Sequence, residues 1–352
     1  MADICINREN LNYILDTYSQ EDTTYRIIEK FPKKGNSNAE TCKFILAGNE
    51  CTIDIFYKKD GTKLIPVGKN IDTANILIEH VSLKGLNANI ESKQMVIITN
   101  SDFADEMQGY FDMNYTNIVK VEKAGNKYVF QGCNLDKVTI HQYKDKIMIQ
   151  GKPLYVFSLI MDYIANVADV AFEDYYEKYS DFVGSDMSFT SIRSYMQSDL
   201  GELYNYLDEA LLKTLASSII LLNQNKNNSI GDFSGCLTGS FKTLEGFMKK
   251  ILSQKYKYKF SRQGKFDMFD KINGAFIVKR GSVSASQEEC KCLESLYTLF
   301  NNKRNTYLHA KINPAMTSNI ESYIEAKSIY EQIIDELKYA YNVFYGVQNE
   351  RV

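Results

Sequence analysis

The sequence predicts an α+β protein in which two copies of an αβ sheet module precede an all-helical C-terminal domain. Three observations carry that expectation. Two stretches about 85 residues apart repeat one order of period-two apolar runs, turn residues and a helix-patterned segment. From about Ser185 the apolar spacing changes to three and four, with no convincing strand run. At 352 residues, 44% hydrophobic and 24% charged, the chain is long enough for two or three globular domains. The expected domains are 1–88, 89–184 and 185–352.

In the first module, strands are expected at Lys43 to Leu46, Thr52 to Tyr57 and, after a turn at Asp60-Gly61, Lys63 to Val67. A helix follows from Ile71 to Val81. The second module echoes it with Lys127 to Phe130, Val138 to Tyr143, a turn at Asp145-Lys146, Ile147 to Ile149 and a helix from Tyr155 to Ala168. A further helix precedes each sheet, at Arg8 to Tyr18 and Asp102 to Phe111, so each module reads as a curved antiparallel sheet with helical cover on one face. Leu203, Leu207, Leu211, Leu215 and Leu222 then mark a long apolar helix stripe that ends in the polar run Asn223 to Asn228. Further helices are expected around Phe241 to Leu252, from Ser286 to Ala310 and from Ser318 to Tyr345. A basic excursion through Lys271 separates the first two of these, and Pro314 stops the second, because proline is poorly tolerated inside a helix.

Seven scattered cysteines lack the dense even spacing of a secreted disulfide framework, and no apolar run approaches the ~18 residues that span a membrane. A cytoplasmic protein is expected. Cys290-Lys291-Cys292 has no second pair and no nearby histidine at zinc-binding spacing, so no metal or other cofactor is anticipated. The net charge of -3 conceals a segregation. Phe241 to Lys311 holds 15 Lys and Arg against 6 Asp and Glu, a net of +9, which leaves -12 elsewhere. Clustered positive charge is the footprint of a polyanion-binding surface, with a solvated helical face as the plainer reading.

Inside that basic segment, Arg304 and His309 stand five residues apart, with polar Asn305 directly after the arginine. A guanidinium holds a phosphodiester through paired hydrogen bonds, and an imidazole titrates where strand scission needs a proton moved. On an ideal helix the two lie roughly 140° apart, whereas Asn305 and His309 are one turn apart and adjacent. Lys255-Tyr256-Lys257-Tyr258-Lys259-Phe260 alternates cations with aromatics. Such a run tracks a phosphate backbone while stacking bases, or forms a half-buried edge with its lysines outward. Gly235 to Ser240 lacks the Gly-Lys-Ser/Thr ending of a phosphate loop, and His80 and His141 fall in expected core elements.

The Arg304–His309 segment resembles the RxxxxH motif of HEPN ribonucleases. With two αβ repeats ahead of it, the whole chain resembles the RNase LS toxins of bacterial toxin–antitoxin systems. That resemblance implies an all-α HEPN nuclease and antitoxin-binding domain, and a glutamate on an earlier helix. The stretch Thr243-Leu244-Glu245-Gly246-Phe247 puts Glu245 in that role. It further implies metal-independent cleavage of mRNA, a homodimer assembled through the HEPN domain, restraint by a cognate or phage-encoded antitoxin, and a part in defence against phage. A non-catalytic RNA-binding or scaffold protein is the rival reading. The repeats are also similar in outline to the TATA-binding-protein fold, but their net acidic character argues against direct contact with duplex DNA.

Overall fold

The first αβ repeat opens with a strand that the sequence pattern did not suggest. β1 (Ala2–Cys5) leads into α1 (Arg8–Thr17), then a four-strand meander of β2 (Arg26–Pro32), β3 (Ala39–Leu46), β4 (Asn49–Lys58) and β5 (Gly61–Val67), then α2 (Ile71–Lys84) and the short β6 (Leu86–Asn87). The second repeat follows the same plan: β7 (Lys93–Ile98), α3 (Phe103–Asn114), β8 (Val119–Ala124), β9 (Lys127–Gly132), β10 (Lys137–Gln142), β11 (Lys146–Gly151) and α4 (Tyr155–Val167). The sheets are ordered β2-β3-β4-β5-β1-β6 and β7-β11-β10-β9-β8. Setting β6 aside, both give the first strand beside the last of its meander, antiparallel throughout. The duplication is therefore one of topology as well as of sequence pattern.

This computed structural model describes residues 2–59, 61–87, 90–226, 233–261, 264–307 and 320–346. They fall into two compact units, one from the described parts of Met1–Ile160, Asn225–Gly235 and His309–Tyr323, the other from those of Met161–Gln224, Cys236–Leu308 and Ile324–Val352. In the first unit each sheet buries one face. Phe44, Ile53, Ile55 and Leu64 meet Leu11 and Leu15 of α1 and Leu77 and Val81 of α2 in one apolar cluster. In the second repeat Phe130, Ile140, Ile147 and Ile149 are buried along with Phe111 of α3 and Phe157 of α4, and the Phe111 and Phe130 rings lie 5.0 Å apart. Asn7 caps α1 by accepting from the Asn10 N–H at 2.7 Å, and its amide donates to Cys133 C=O at 2.8 Å, joining the repeats.

The second unit holds α5 (Phe172–Val183), α6 (Phe189–Leu200), α7 (Glu202–Tyr206), α8 (Glu209–Gln224), α9 (Thr238–Gln254), α10 (Gln287–Tyr307) and α11 (Tyr323–Tyr345). It is not all-helical as expected, because the basic excursion forms a hairpin of β12 (Phe269–Ile272) and β13 (Ala275–Val278). Asn273 and Gly274 turn it with φ of 50° and 85°, the paired positive values of a tight two-residue turn. Asn-Gly between two apolar runs was the available signal.

α8 is buried from Leu211 to Leu222, its serines and threonines included. Their hydroxyls bond back to helix carbonyls, as Thr214 Oγ1 does to Ala210 at 2.8 Å and Ser217 Oγ to Thr214 at 2.6 Å. Ser218 Oγ instead accepts the backbone N–H of Ser240 at 2.9 Å, tying the start of α9 to α8. Where the helices meet, a Cβ on Gly239 would sit 2.0 Å from the Thr214 carbonyl oxygen, and one on Gly246 would sit 2.4 Å from Leu211 Cδ2. The first obstacle is backbone and the second the end of a side chain. Gly239→Ala is therefore expected to lower stability by about 1–3 kcal/mol, and Gly246→Ala to stay within about 1 kcal/mol of wild type, since helix propensity offsets the repacking. Urea denaturation of the two variants checks this contrast.

Candidate active site

Glu245 lies on α9 between the two glycines that face α8, its side chain only 17% exposed. Lys249 Nζ, one turn on, donates to Glu245 Oε1 at 2.7 Å. Lys249 was missed in the sequence, although Glu followed four residues later by Lys is the arrangement that pairs on a helix. The same ammonium lies 5.8 Å from the Phe266 ring centre, and Phe266 packs edge-on against Phe300 of α10 at 5.9 Å. Phe300 precedes Arg304 by one helical turn. Continuous packing therefore links Glu245 to the stretch of α10 that carries Arg304. Arg304 and Asn305 fall on the last turn of α10, where the structure describes the backbone, and His309 lies outside the described residues.

Beyond α9 the run from Lys255 to Phe260 pairs into no sheet, with Lys255, Lys257 and Lys259 exposed and Tyr256, Tyr258 and Phe260 half-buried. The aromatics turn inward. Tyr258 packs on Phe260 at 5.1 Å, Phe260 on Phe266 at 5.7 Å and Tyr256 on Phe344 at 6.3 Å. Lys257 adopts a left-handed conformation, φ 54°, as the Tyr258 N–H turns back to Leu252 C=O at 2.9 Å.

Glu289 gathers this region together. It closes a capping box at the start of α10, accepting from the Ser286 N–H at 2.7 Å while Ser286 Oγ accepts from the Glu289 N–H at 3.2 Å. Lys255 pairs with the same carboxylate at 2.7 Å and also donates to Phe344 C=O of α11 at 2.7 Å. Burial acts to raise the Glu289 pKa, but the Lys255 and Ser286 hydrogen bonds outweigh it and hold the carboxyl below its usual value. Burial, and then Glu289, push the Tyr256 phenol up.

Much of the positive charge counted along this segment is thus spent internally. Lys242 faces Asp162 at 3.8 Å, Lys250 pairs with Asp208 at 2.6 Å and Lys279 with Asp270 at 3.4 Å. Of the other histidines, His80 packs against Tyr18 at 4.4 Å, with Nδ1 3.6 Å from Glu21, and burial lowers its pKa. His141 is half-buried on the uncovered face of the second sheet and not in the core, because its register partners Lys127 and Met148 point away from the helices. Burial pushes the Cys292 thiol up to about 12.

Residues 89–169 match the family described as "RNase LS, bacterial toxin", and residues 189–311 match "RNase LS, bacterial toxin DBD domain". The two matches together span more than half of the chain, and the second takes in Glu245, Arg304 and His309. The chain is a bacterial ribonuclease toxin by these matches. It belongs to the RNase LS toxin family. Among solved structures it is similar to Escherichia coli toxin LsoA, crystallised in complex with T4 phage antitoxin Dmd. That match has 20% identity and a TM-score of 0.44, and covers 71% of this chain and 98% of that one. No curated protein matches. No described helix is long and apolar enough to cross a membrane.

Glu289→Ala removes both the reciprocal cap and the Lys255 bridge and should lower stability by about 1–2 kcal/mol, while Glu289→Gln keeps the cap and loses less. Because the folded-state pKa is depressed, the charge-dependent part is present above the usual glutamate value and lost as pH falls through the folded one. The gap between wild type and Glu289→Gln therefore narrows on acidification, read from denaturation at a series of pH values. Lys257→Gly relieves a left-handed position and is expected to raise stability by up to about 1 kcal/mol by the same measurement.

Proposed function

We propose that the chain is a metal-independent endoribonuclease of the HEPN RxxxxH type, a toxin that cleaves mRNA through attack by the ribose 2′-hydroxyl on the adjacent phosphate. The observation that supports this reading is the family match over residues 189–311, a span that includes Glu245, Arg304 and His309. Because the nucleophile belongs to the substrate, no water needs activating and three side chains suffice. His309 moves the proton, either drawing it from the 2′-hydroxyl or delivering it to the departing 5′-oxygen. Arg304 neutralises charge gathering on the phosphorane oxygens. Glu245, braced by Lys249, orients His309 or takes the complementary base role, with Asn305 and the exposed Lys257 and Lys259 as contacts to the RNA strand. The products carry a 2′,3′-cyclic phosphate and a 5′-hydroxyl.

The wider biology belongs to the same proposal. Two αβ repeats, 1–88 and 89–184, precede a nuclease domain, 185–352, that pairs with a second copy and is held in check by a cognate or phage-encoded antitoxin protein. The activity acts in the cytoplasm and serves defence against phage. A toxin that degrades its own cell's messages needs such restraint, which supports an antitoxin partner.

Incubation of long single-stranded RNA with wild-type protein in EDTA should give fragments ending in cyclic phosphate. His309→Ala should lose about 10²- to 10⁴-fold in rate and Arg304→Ala about 10²- to 10³-fold. Fragments with 5′-phosphate ends, or a strict requirement for Mg²⁺, would sink the mechanism.

A further inference from the structure

The two repeats share one topology, and each leaves one sheet face without helical cover, yet the chemistry of the two faces differs. On the first sheet three lysines are answered by carboxylates. Lys43 pairs with Glu29 at 2.7 Å, Lys58 with Asp3 at 2.6 Å, and Lys33 with Asp54. Asp54 is itself buried there and accepts from Thr41 Oγ1 at 2.7 Å.

On the second sheet the cross-strand register sets the open face row by row. Lys120, Gln131 and Lys137 lie side by side, and so do Lys127, His141, Met148 and Val96. Between those rows run Glu122, Val129, Thr139, Gln150 and Gln94. At the far edge Lys146 stands opposite Ile98 and 5.9 Å from the ring centre of Tyr143, which is 42% exposed. Among the described residues these strands put four lysines and a histidine on this face against one carboxylate, Glu122, which pairs with Lys120 at 2.7 Å. Lys127 and Lys146 are exposed and form no ion pair among the described residues.

We propose that the open face of the second sheet binds single-stranded RNA, a reading that rests on the ribonuclease assignment and gives the second repeat the task of holding substrate. The lysines supply phosphate contacts, Thr139 and the glutamines supply donors and acceptors for base edges, and Tyr143 offers an exposed ring for stacking. Unpaired RNA is recognised by that combination on an uncovered sheet, because splayed bases need both a flat surface and hydrogen-bonding side chains. The first sheet, where Lys33, Lys43 and Lys58 are each matched by a carboxylate, offers less of the uncompensated charge that drives binding to a polyanion.

The test is binding of a fluorescent 2′-O-methyl RNA oligomer, which lacks the nucleophile and so reports affinity independently of cleavage, to the full-length protein across a salt series. Lys127→Gln/Lys146→Gln should bind more weakly, with a slope of log affinity against log salt shallower by about 1.4. Tyr143→Ala should lose about tenfold with the slope unchanged. Lys43→Gln/Lys58→Gln, on the first sheet, should match wild type. Lys127→Gln and Lys146→Gln made singly serve should the pair fail to fold, and each should make the slope shallower by about 0.7. Wild-type affinity and slope in the pair and in both single variants would overturn the proposal, as they would if the face received an acidic protein instead. No measurable binding by wild type would overturn it too. Persistence of cleavage in His309→Ala bears on the nuclease mechanism alone and leaves this binding result standing.

Discussion

The second unit depends on how closely α9 can lie on α8. A helix buried along most of its length has to be met on nearly every side, and ordinary side chains hold helix axes 8–10 Å apart. Gly239 and Gly246 remove that spacing on one face of α9, while the Ser218 hydroxyl satisfies a backbone N–H that closeness would otherwise strand. An unpaired buried amide costs about 1–3 kcal/mol, so the hydroxyl at 218 is as necessary to the close approach as the glycine. Glu245 precedes Gly246 by one residue, roughly 100° around the helix from the glycine face. The contact that fixes α9 thus also decides which way the glutamate points, and Lys249 then holds its carboxylate toward Phe266 and α10.

The strands expected from period-two alternation are central ones, where one face is buried and the next residue is not. β9 and β10 alternate in that way, and the registers of β3 with β4 and of β9 with β10 run without a break. β2 and β8 lie at sheet edges and carry Arg26, Glu29 and Lys30, or Lys120, Glu122 and Lys123, a composition that discourages further pairing and also erases the apolar rhythm. The hairpin in the second unit was hidden for a different reason. Its strands have four residues each, too short for a periodicity, and only the Asn273-Gly274 turn marks them.

Candidate site residues could be named from the sequence only where a motif fixes them by position. Arg304, His309 and Glu245 are proposed from the sequence because the motif and its neighbouring residues travel with it. Lys249 and Glu289 could not be named in this way. Their importance lies in contacts with Phe266, Lys255 and Ser286 that no spacing rule singles out beyond the local capping and i,i+4 patterns. The aromatics of the Lys255–Phe260 run show the same limit, since alternation revealed two faces without revealing which was inside.

Charge was the feature most distorted by reading along the chain. The +9 segment looked like a polyanion surface, yet Lys249, Lys250, Lys255 and Lys279 lie beside carboxylates or carbonyls of their own unit. The repeats looked acidic, yet the second sheet separates its charges by face. Asp105 pairs with Lys123 on the helix-covered side, while Lys127 and Lys146 stand on the other. An electrostatic field is summed over a surface, and screening confines it to about 8–10 Å at physiological salt. Charges on opposite sides of a sheet and its helices are therefore felt separately by a strand of RNA, and the sign of a segment's total says little about the sign of the face it presents.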